Sequence, residues 1–193
     1  MGSRIEHRGE FSGTLADVFA AVAGEEAVRA RLAALGGDDG KLLSYTSEGD
    51  AVRYELQHGI PAARLPSAVR ALHKGDIIVR RKQTWQPSGD SYKGRTDVTV
   101  SGVPGEISAQ TSLTSSGSGG PDHSGAPGSP GSPGSPGSPG SPGSETMIFR
   151  TTGEVVVRIP LVGGRVEEFV AQQVTTLLQR EDEFTTQWLT DHS

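Results

Sequence analysis

The stretch from residue 155 to the C-terminus constrains the fold most. A strand, Val155 to Pro160, passes through a Gly163-Gly164 turn into one long helix. From Val166 on, apolar residues fall at Phe169, Val170, Val174, Leu177, Leu178, Phe184, Trp188 and Leu189. That is helical spacing, and it gives one wide apolar face. A single amphipathic helix after a series of strands must lay that face on their sheet. A curved sheet gripping one helix often encloses a cavity, so the pattern predicts a ligand-pocket architecture.

The strands are legible upstream. Residues 4 to 11 alternate, with Ile5, His7 and Phe11 on one face and Arg4, Glu6, Arg8 and Glu10 on the other. Thr14 is an N-cap with Asp17 three residues on, and Leu15, Val18, Phe19 and Val22 follow at helical spacing. Glu25 to Leu35 makes a second short helix, ended by Gly36-Gly37-Asp38-Asp39-Gly40. Strands are expected at Leu42–Ser47, Val52–His58, Ile77–Gln86, Ser91–Val100, Gly105–Thr114 and Met147–Ile159. Turn signals at Glu48-Gly49-Asp50 and Pro87-Ser88-Gly89-Asp90 join two of the hairpins. The connector from 60 to 74 is broken by Pro61 and Pro66, with a short helix near Ser67–Leu72. Short loops favour an antiparallel sheet. The expected class is α+β: a curved antiparallel sheet around one long C-terminal helix, with two short helices after the first strand.

Residues 116–145 interrupt this order. Pro-Gly-Ser repeats run from Pro127 to Ser144, a composition that cannot bury a core. The segment reads as a disordered insert in the hairpin before the last strand, leaving 1–115 and 146–193 as one domain. Lengthening a loop from about four to about thirty residues costs only roughly 2 kcal/mol in closure entropy.

Composition narrows the partners. Net charge is -5 and the sequence pI is near 5.5, which argues against nucleic acid and anionic membrane as main partners. The absence of cysteine excludes disulfides, thiolate catalysis and Cys-based zinc sites. The N-terminus has no apolar signal core and no apolar run spans a bilayer, so the chain is expected in the cytoplasm, without an integral membrane segment. Arg outnumbers Lys and Asn is absent, a bias of GC-rich bacterial genomes.

Few motifs carry chemistry. Gly36 to Lys41 is one residue short of a phosphate loop and has Leu42 where Ser or Thr is needed. His7, His58, His73, His123 and His192 are scattered, and none has metal-ligand spacing. No metal, cofactor or catalytic set is therefore expected. His58 shares alternation with Val52, Tyr54 and Leu56, which places it inward as a strand-end histidine or a polar handle at a cavity mouth. Glu181 falls mid-face on the long helix, between Leu177 and Phe184, and a carboxylate facing a sheet needs a partner or a raised pKa. Arg81, in alternation with Ile77, Val79 and Trp85, is a candidate partner. Trp85, Tyr92 and Phe149 project inward, together with Val98, Val100, Ile107, Leu113, Val155 and Val157. Such a lining suits a small-molecule cavity and equally a filled core.

The order of elements resembles the helix-grip fold of the START-like superfamily, which includes polyketide cyclases and plant pathogenesis-related proteins. Within it the chain most resembles an uncharacterised actinobacterial group, the domain-of-unknown-function family 2505. The resemblance rests on Thr14-Leu-Ala-Asp-Val-Phe19, Ile60-Pro61 with Leu65-Pro66, Trp85, and Gly102-Val-Pro-Gly105. It rests most on Gly153-Glu154 and Val157-Arg-Ile-Pro-Leu-Val-Gly-Gly164, followed by Glu167 and Trp188-Leu189. It implies the fold and a cavity for a lipid-like or polyketide-like molecule, and it brings no catalytic residues.

The expected function is binding or carrying a hydrophobic small molecule between sheet and helix. The expected lining is Tyr54, His58, Trp85, Tyr92, Phe149, Phe169, Val170, Val174, Leu177 and Glu181. Two other readings fit the same residues. One is a cyclase or dehydratase using Glu181 or His58 as general acid or base. The other is an interaction module whose interior is solid.

Overall fold

In a computed structural model, residues 2–37, 39–65, 67–72, 74–117, 145–161 and 163–192 are described. The insert expected at 116–145 lies almost wholly outside them, as do His73 and His123. Seven strands form one antiparallel sheet in the order β1-β7-β6-β5-β4-β3-β2. They are β1 (Ser3–Ser12), β2 (Lys41–Glu48), β3 (Ala51–Ile60), β4 (Ile77–Pro87), β5 (Ser91–Val100), β6 (Gly105–Ser115) and β7 (Thr146–Val157). Helices α1 (Leu15–Ala23) and α2 (Glu25–Leu35) follow β1, α3 (Ser67–Leu72) sits between β3 and β4, and α4 (Gly163–Asp191) closes the chain. Ser115 pairs with Met147, so the residues between β6 and β7 leave and return at adjacent positions.

Local chemistry explains the boundaries. The Thr14 hydroxyl accepts from the Asp17 amide at 3.2 Å and starts α1, as its side chain is fitted to do. Gly24 ends α1 and caps α2, in an extended conformation at φ -63° and ψ 143°. The junction of β7 and α4 differs from the sequence reading. The strand ends at Val157, Pro160 and Leu161 make the turn, and Gly163 and Gly164 are already helical. A Cβ at Gly163 would stand 2.7 Å from the Val157 carbonyl oxygen, so glycine lets the helix begin against the strand. Glu167 fastens the same corner: its buried carboxylate accepts from the Val157 amide at 2.8 Å.

The register aligns one inward face across the sheet. Leu56, Arg81, Val98, Ile107 and Val155 lie in one row; Val52, Trp85, Gly94, Thr111, Thr151 and His7 lie in another. A Cβ at Gly94 would meet the Trp85 ring at 2.9 Å, so this glycine makes room for an indole lying flat on its neighbouring strand. Helix α4 packs chiefly on β1 and β7, with its C-terminal half against α1 and α2. As expected, α4 lies on the sheet, with most of its contacts toward the β1–β7 edge. The apolar positions directed at β1 and β7 set this tilt, with Ala171 and Leu178 joining Ile5 and Val155 in one cluster.

Candidate functional site

The inward face divides into three zones. The first, near the β2–β3, β4–β5 and β6–β7 connections, is a filled aromatic core. Trp85 is 0% exposed and Tyr54 1%. Phe11, Phe149, Leu113 and Met147 pack with Val18, Val22 and Val28 of α1 and α2. Phe19 of α1 stacks on Tyr92 with ring centres 3.6 Å apart and meets Trp85 edge-on at 5.9 Å. Four of the expected lining residues, Tyr54, Trp85, Tyr92 and Phe149, are therefore engaged by α1, α2 and one another.

The second zone is a belt of buried polar groups across the middle. Glu181 of α4 accepts two hydrogen bonds from Arg81 of β4, at 2.7 and 3.3 Å. Arg31 of α2 stands behind, its Nε 3.9 Å from the same carboxylate. Arg31 also donates to the Val22 carbonyl at 3.0 Å, and Tyr54 Oη donates to Gln83 at 2.9 Å. One helical step on, Asp182 Oδ2 lies 2.7 Å from His7 Nε2 on β1. Gly9 makes this possible, because a Cβ there would collide with the Asp182 carboxylate. The Thr111 and Thr151 hydroxyls meet at 3.2 Å. Phe11, Phe149, Arg31, Arg81, Gln83, Glu181, Asp182 and Thr185 are among the walls of a cavity of about 20 Å³ within this belt. That is room for one water. Two buried donors, Arg81 Nε and Trp85 Nε1, have no protein acceptor.

The belt sorts its protons. Burial pushes the Glu181 carboxyl upward, but the charges and hydrogen bonds of Arg81, with Arg31 behind, outweigh it and hold the group below its usual range. Asp182 goes the other way. Burial raises it, and the hydrogen bond from His7 offsets that only in part. His58 is lowered, first by burial and then by the Arg81 charge. Glu181 is thus an ionised structural partner near neutral pH, and His58 is held toward its neutral form.

The third zone lies toward the β3–β4, β5–β6 and β7–α4 connections. Here Val79, Val98, Val100 and Ile107 project from the sheet's inner face and stay only half-buried. On α4, Val170, Val174 and Leu177 are half-buried as well. Val170 touches two small clusters, Ile5–Val155–Ala171–Leu178 and Leu65–Val69–Ile77–Val166, and so spans the space between them. Ile107, Val170 and Val174 pack against the first of these clusters, and Val79 and Val100 against the second, yet all stay partly exposed. His58 sits beside Val79 in register, at the boundary with the polar belt. Phe169 is different: at 38% exposed it is the more open neighbour of the Val166–Val170–Val174 stripe and joins neither of the two small clusters. A larger open hollow of about 670 Å³ lies outside the sheet, between the start of β1 and α4. Ser3, Arg4, Glu168, Gln172 and Thr175 line it, and it is polar.

Sequence reasoning foresaw the Glu181–Arg81 pair from alternation and the helical wheel. It missed His7–Asp182, Arg31 and Gln83. Alternation did place His7 inward, but its partner is 175 residues away.

A sheet gripping a long helix, with two small helices capping one end, is the helix-grip arrangement. The chain belongs to a family of that architecture: the model for "Protein of unknown function (DUF2505)" matches residues 6–130 and 131–189. An uncharacterized protein of Mycobacterium tuberculosis is 27% identical over 189 residues, covering 95% of this chain and 94% of its own length. A counterpart in Mycobacterium bovis matches to the same extent. Among solved structures, a conserved protein from Geobacillus kaustophilus aligns at TM-score 0.51 and 14% identity, over 98% of this chain and 96% of its own. Norcoclaurine synthase from Thalictrum flavum, solved with dopamine and hydroxybenzaldehyde, aligns at TM-score 0.49 and 10% identity, over 100% and 89%. The Geobacillus likeness bears on the fold alone, and the second, at a TM-score below 0.5, bears on nothing further. Among the described residues, no helix is long and apolar enough to cross a membrane.

Proposed function

We propose that this protein binds or carries a hydrophobic small molecule in the gap between α4 and the β4–β6 part of the sheet. The observation that carries the reading is the half-burial of Val79, Val98, Val100 and Ile107 opposite Val170, Val174 and Leu177. Covering those side chains would remove apolar surface from water at about 25 cal/mol per Å². A lipid-like or polyketide-like body suits the aliphatic lining, and a single polar group on it suits the Arg81–His58 boundary. Of the ten lining residues expected from sequence, Val170, Val174, Leu177, His58 and Glu181 belong to this site. Residues 1–115 and 146–193 act as one domain around it.

A dehydratase or cyclase role is the weaker reading for Glu181, whose carboxylate is held ionised and engaged by two hydrogen bonds from Arg81, so that such a role would rest on His58. The solid-core reading applies to the aromatic zone and not to the aliphatic one.

The test is native mass spectrometry of the protein purified from its own host, followed by organic extraction. We expect a co-purifying apolar molecule. Thermal melts with medium-chain fatty alcohols and acids then report binding directly: ligand at about a hundred times Kd should stabilise by about 2.7 kcal/mol. An empty protein whose melting is indifferent to every apolar probe would overturn the proposal. A Val98→Phe and Ile107→Phe double variant that loses the stabilisation, while melting no lower than the parent, would locate the ligand in this gap.

A further inference from the structure

One end of the molecule combines exposed apolar residues with positive charge. Leu161, in the β7–α4 turn, is 104% exposed and is the one non-glycine residue at positive φ among the described residues, at +70°. A leucine is strained in that conformation, and glycine would adopt it freely. Neither burial nor local geometry accounts for an isobutyl side chain there.

The surroundings form a single rim. The Arg158 amide donates to the Pro104 carbonyl at 2.7 Å, which ties the β7–α4 turn to the β5–β6 loop. Val103 of that loop packs against Leu65, Val69 and Val166, which brings in the connector and the first turn of α4. Pro104, Pro160 and Leu161 are exposed on this rim, with Phe169 partly exposed on the next turn of α4.

The charge on the rim is basic. Arg64, Arg70, Lys74, Arg158 and Arg165 are all exposed there. Three acids lie close by: Glu106 is paired with Arg158, Asp76 accepts from the Ala62 amide, and Glu168 follows on α4. Asp39 lies at the far edge, against Gly59 of β3. The opposite end reverses the sign. Among the described residues its strand connections carry Asp50, Asp90 and Glu145 and no Lys or Arg. The overall charge of -5 therefore conceals an axis with its positive end at the exposed leucine.

We propose that this rim docks on an anionic lipid surface, with Leu161 entering the headgroup boundary, Phe169 beside it, and the arginines resting on lipid phosphates. Apolar residues ringed by arginine and lysine are what such a surface recognises. The acidic opposite end, repelled by the same lipids, would orient the approach. The inference stands apart from the ligand gap and does not need a bound molecule.

The test is co-sedimentation of the full chain with phosphatidylcholine–phosphatidylserine vesicles, and with phosphatidylcholine alone as the neutral surface. We expect pelleting with the anionic vesicles that fades as salt rises, and little with the neutral ones. Leu161→Gly removes the side chain and relieves the strained φ. It should weaken vesicle binding by about tenfold while the Tm stays at or above that of the parent. Arg64→Glu with Arg165→Glu should weaken it by at least as much, since each basic residue near an anionic surface is worth about a fivefold change in affinity. Absence of pelleting, equal pelleting with both vesicle types, or binding untouched by Leu161→Gly would overturn the proposal. So would sedimentation without vesicles that these variants abolish, which would make the rim a contact between copies of this chain.

Discussion

The aromatic and aliphatic halves of the inward face use the same strands and the same alternation, yet one is solid and the other partly open. Trp85 and Leu113 are fully buried, whereas Val79 and Ile107, further along the same strands, are half-buried. The difference comes from what covers them. Helices α1 and α2 plug the aromatic half, with Val18, Val22 and Val28 filling it. The aliphatic half is covered by α4, which packs chiefly on β1 and β7, with Leu65 and Val69 of the connector at its end. The Arg81–Glu181 pair stands between, so the polar belt is a partition as well as a fastening. Secondary structure alone therefore does not decide whether a helix-grip interior is a core or a pocket; the small capping helices and the tilt of the long one do.

Trp85→Ala makes the largest breach in the solid half. We expect a loss of about 4 kcal/mol in chemical denaturation, because the indole is fully enclosed and its neighbours cannot all close in. Arg81→Met breaks the partition and removes both hydrogen bonds to the buried Glu181, leaving Arg31 at 3.9 Å, which should cost about 3 kcal/mol. In the open half the same kind of truncation should matter less. Ile107→Ala is expected to cost below about 2 kcal/mol, because the residue is already half in water. An Ile107→Ala loss equal to that of Trp85→Ala would erase the distinction between the halves.

The smallest effects are those of pH, and their signs differ within the belt. The folded Glu181 carboxyl lies below its ordinary value of 4.5, so its stabilisation is complete above that pH and is lost as pH falls through the folded value. Asp182 is raised above 3.8, so its contribution is complete at lower pH and is lost as pH rises through the folded value. His58 is lowered from 6.5; its neutral form favours the fold, and stability declines as pH drops from there. A His58→Asn variant should lack the first part of the acid-side decline, read as Tm against pH. An unchanged profile would show that His58 titrates outside the fold's control.

Much of this architecture was legible in the residues. Thr14 with Asp17 announces α1, the breaks at Pro61 and Pro66 announce the connector, and period-two alternation turns Tyr54, Leu56, Trp85, Leu113 and Phe149 inward. The wheel put Glu181 on the buried face, and strand alternation offered Arg81. The Gly163-Gly164 pair was readable as a special junction, although as the start of the helix and not as a turn before it. The same wheel put Phe169 on the apolar face, where it stays 38% exposed, because a wheel has no knowledge of tilt.

The chain's pattern by itself determined an α+β sheet with one closing helix, many of the side chains that turn inward, and that the Glu181 carboxylate would need a partner or a raised pKa. These are local properties, set by backbone periodicity and by the cost of burying a charge alone. Only the tertiary structure decided that His7 meets Asp182 and that Arg31 backs Glu181. It also decided that half of the interior is filled while half is partly open. Those outcomes depend on where α2 and α4 come to rest on the sheet, and that position is the sum of many contacts between residues far apart in the chain.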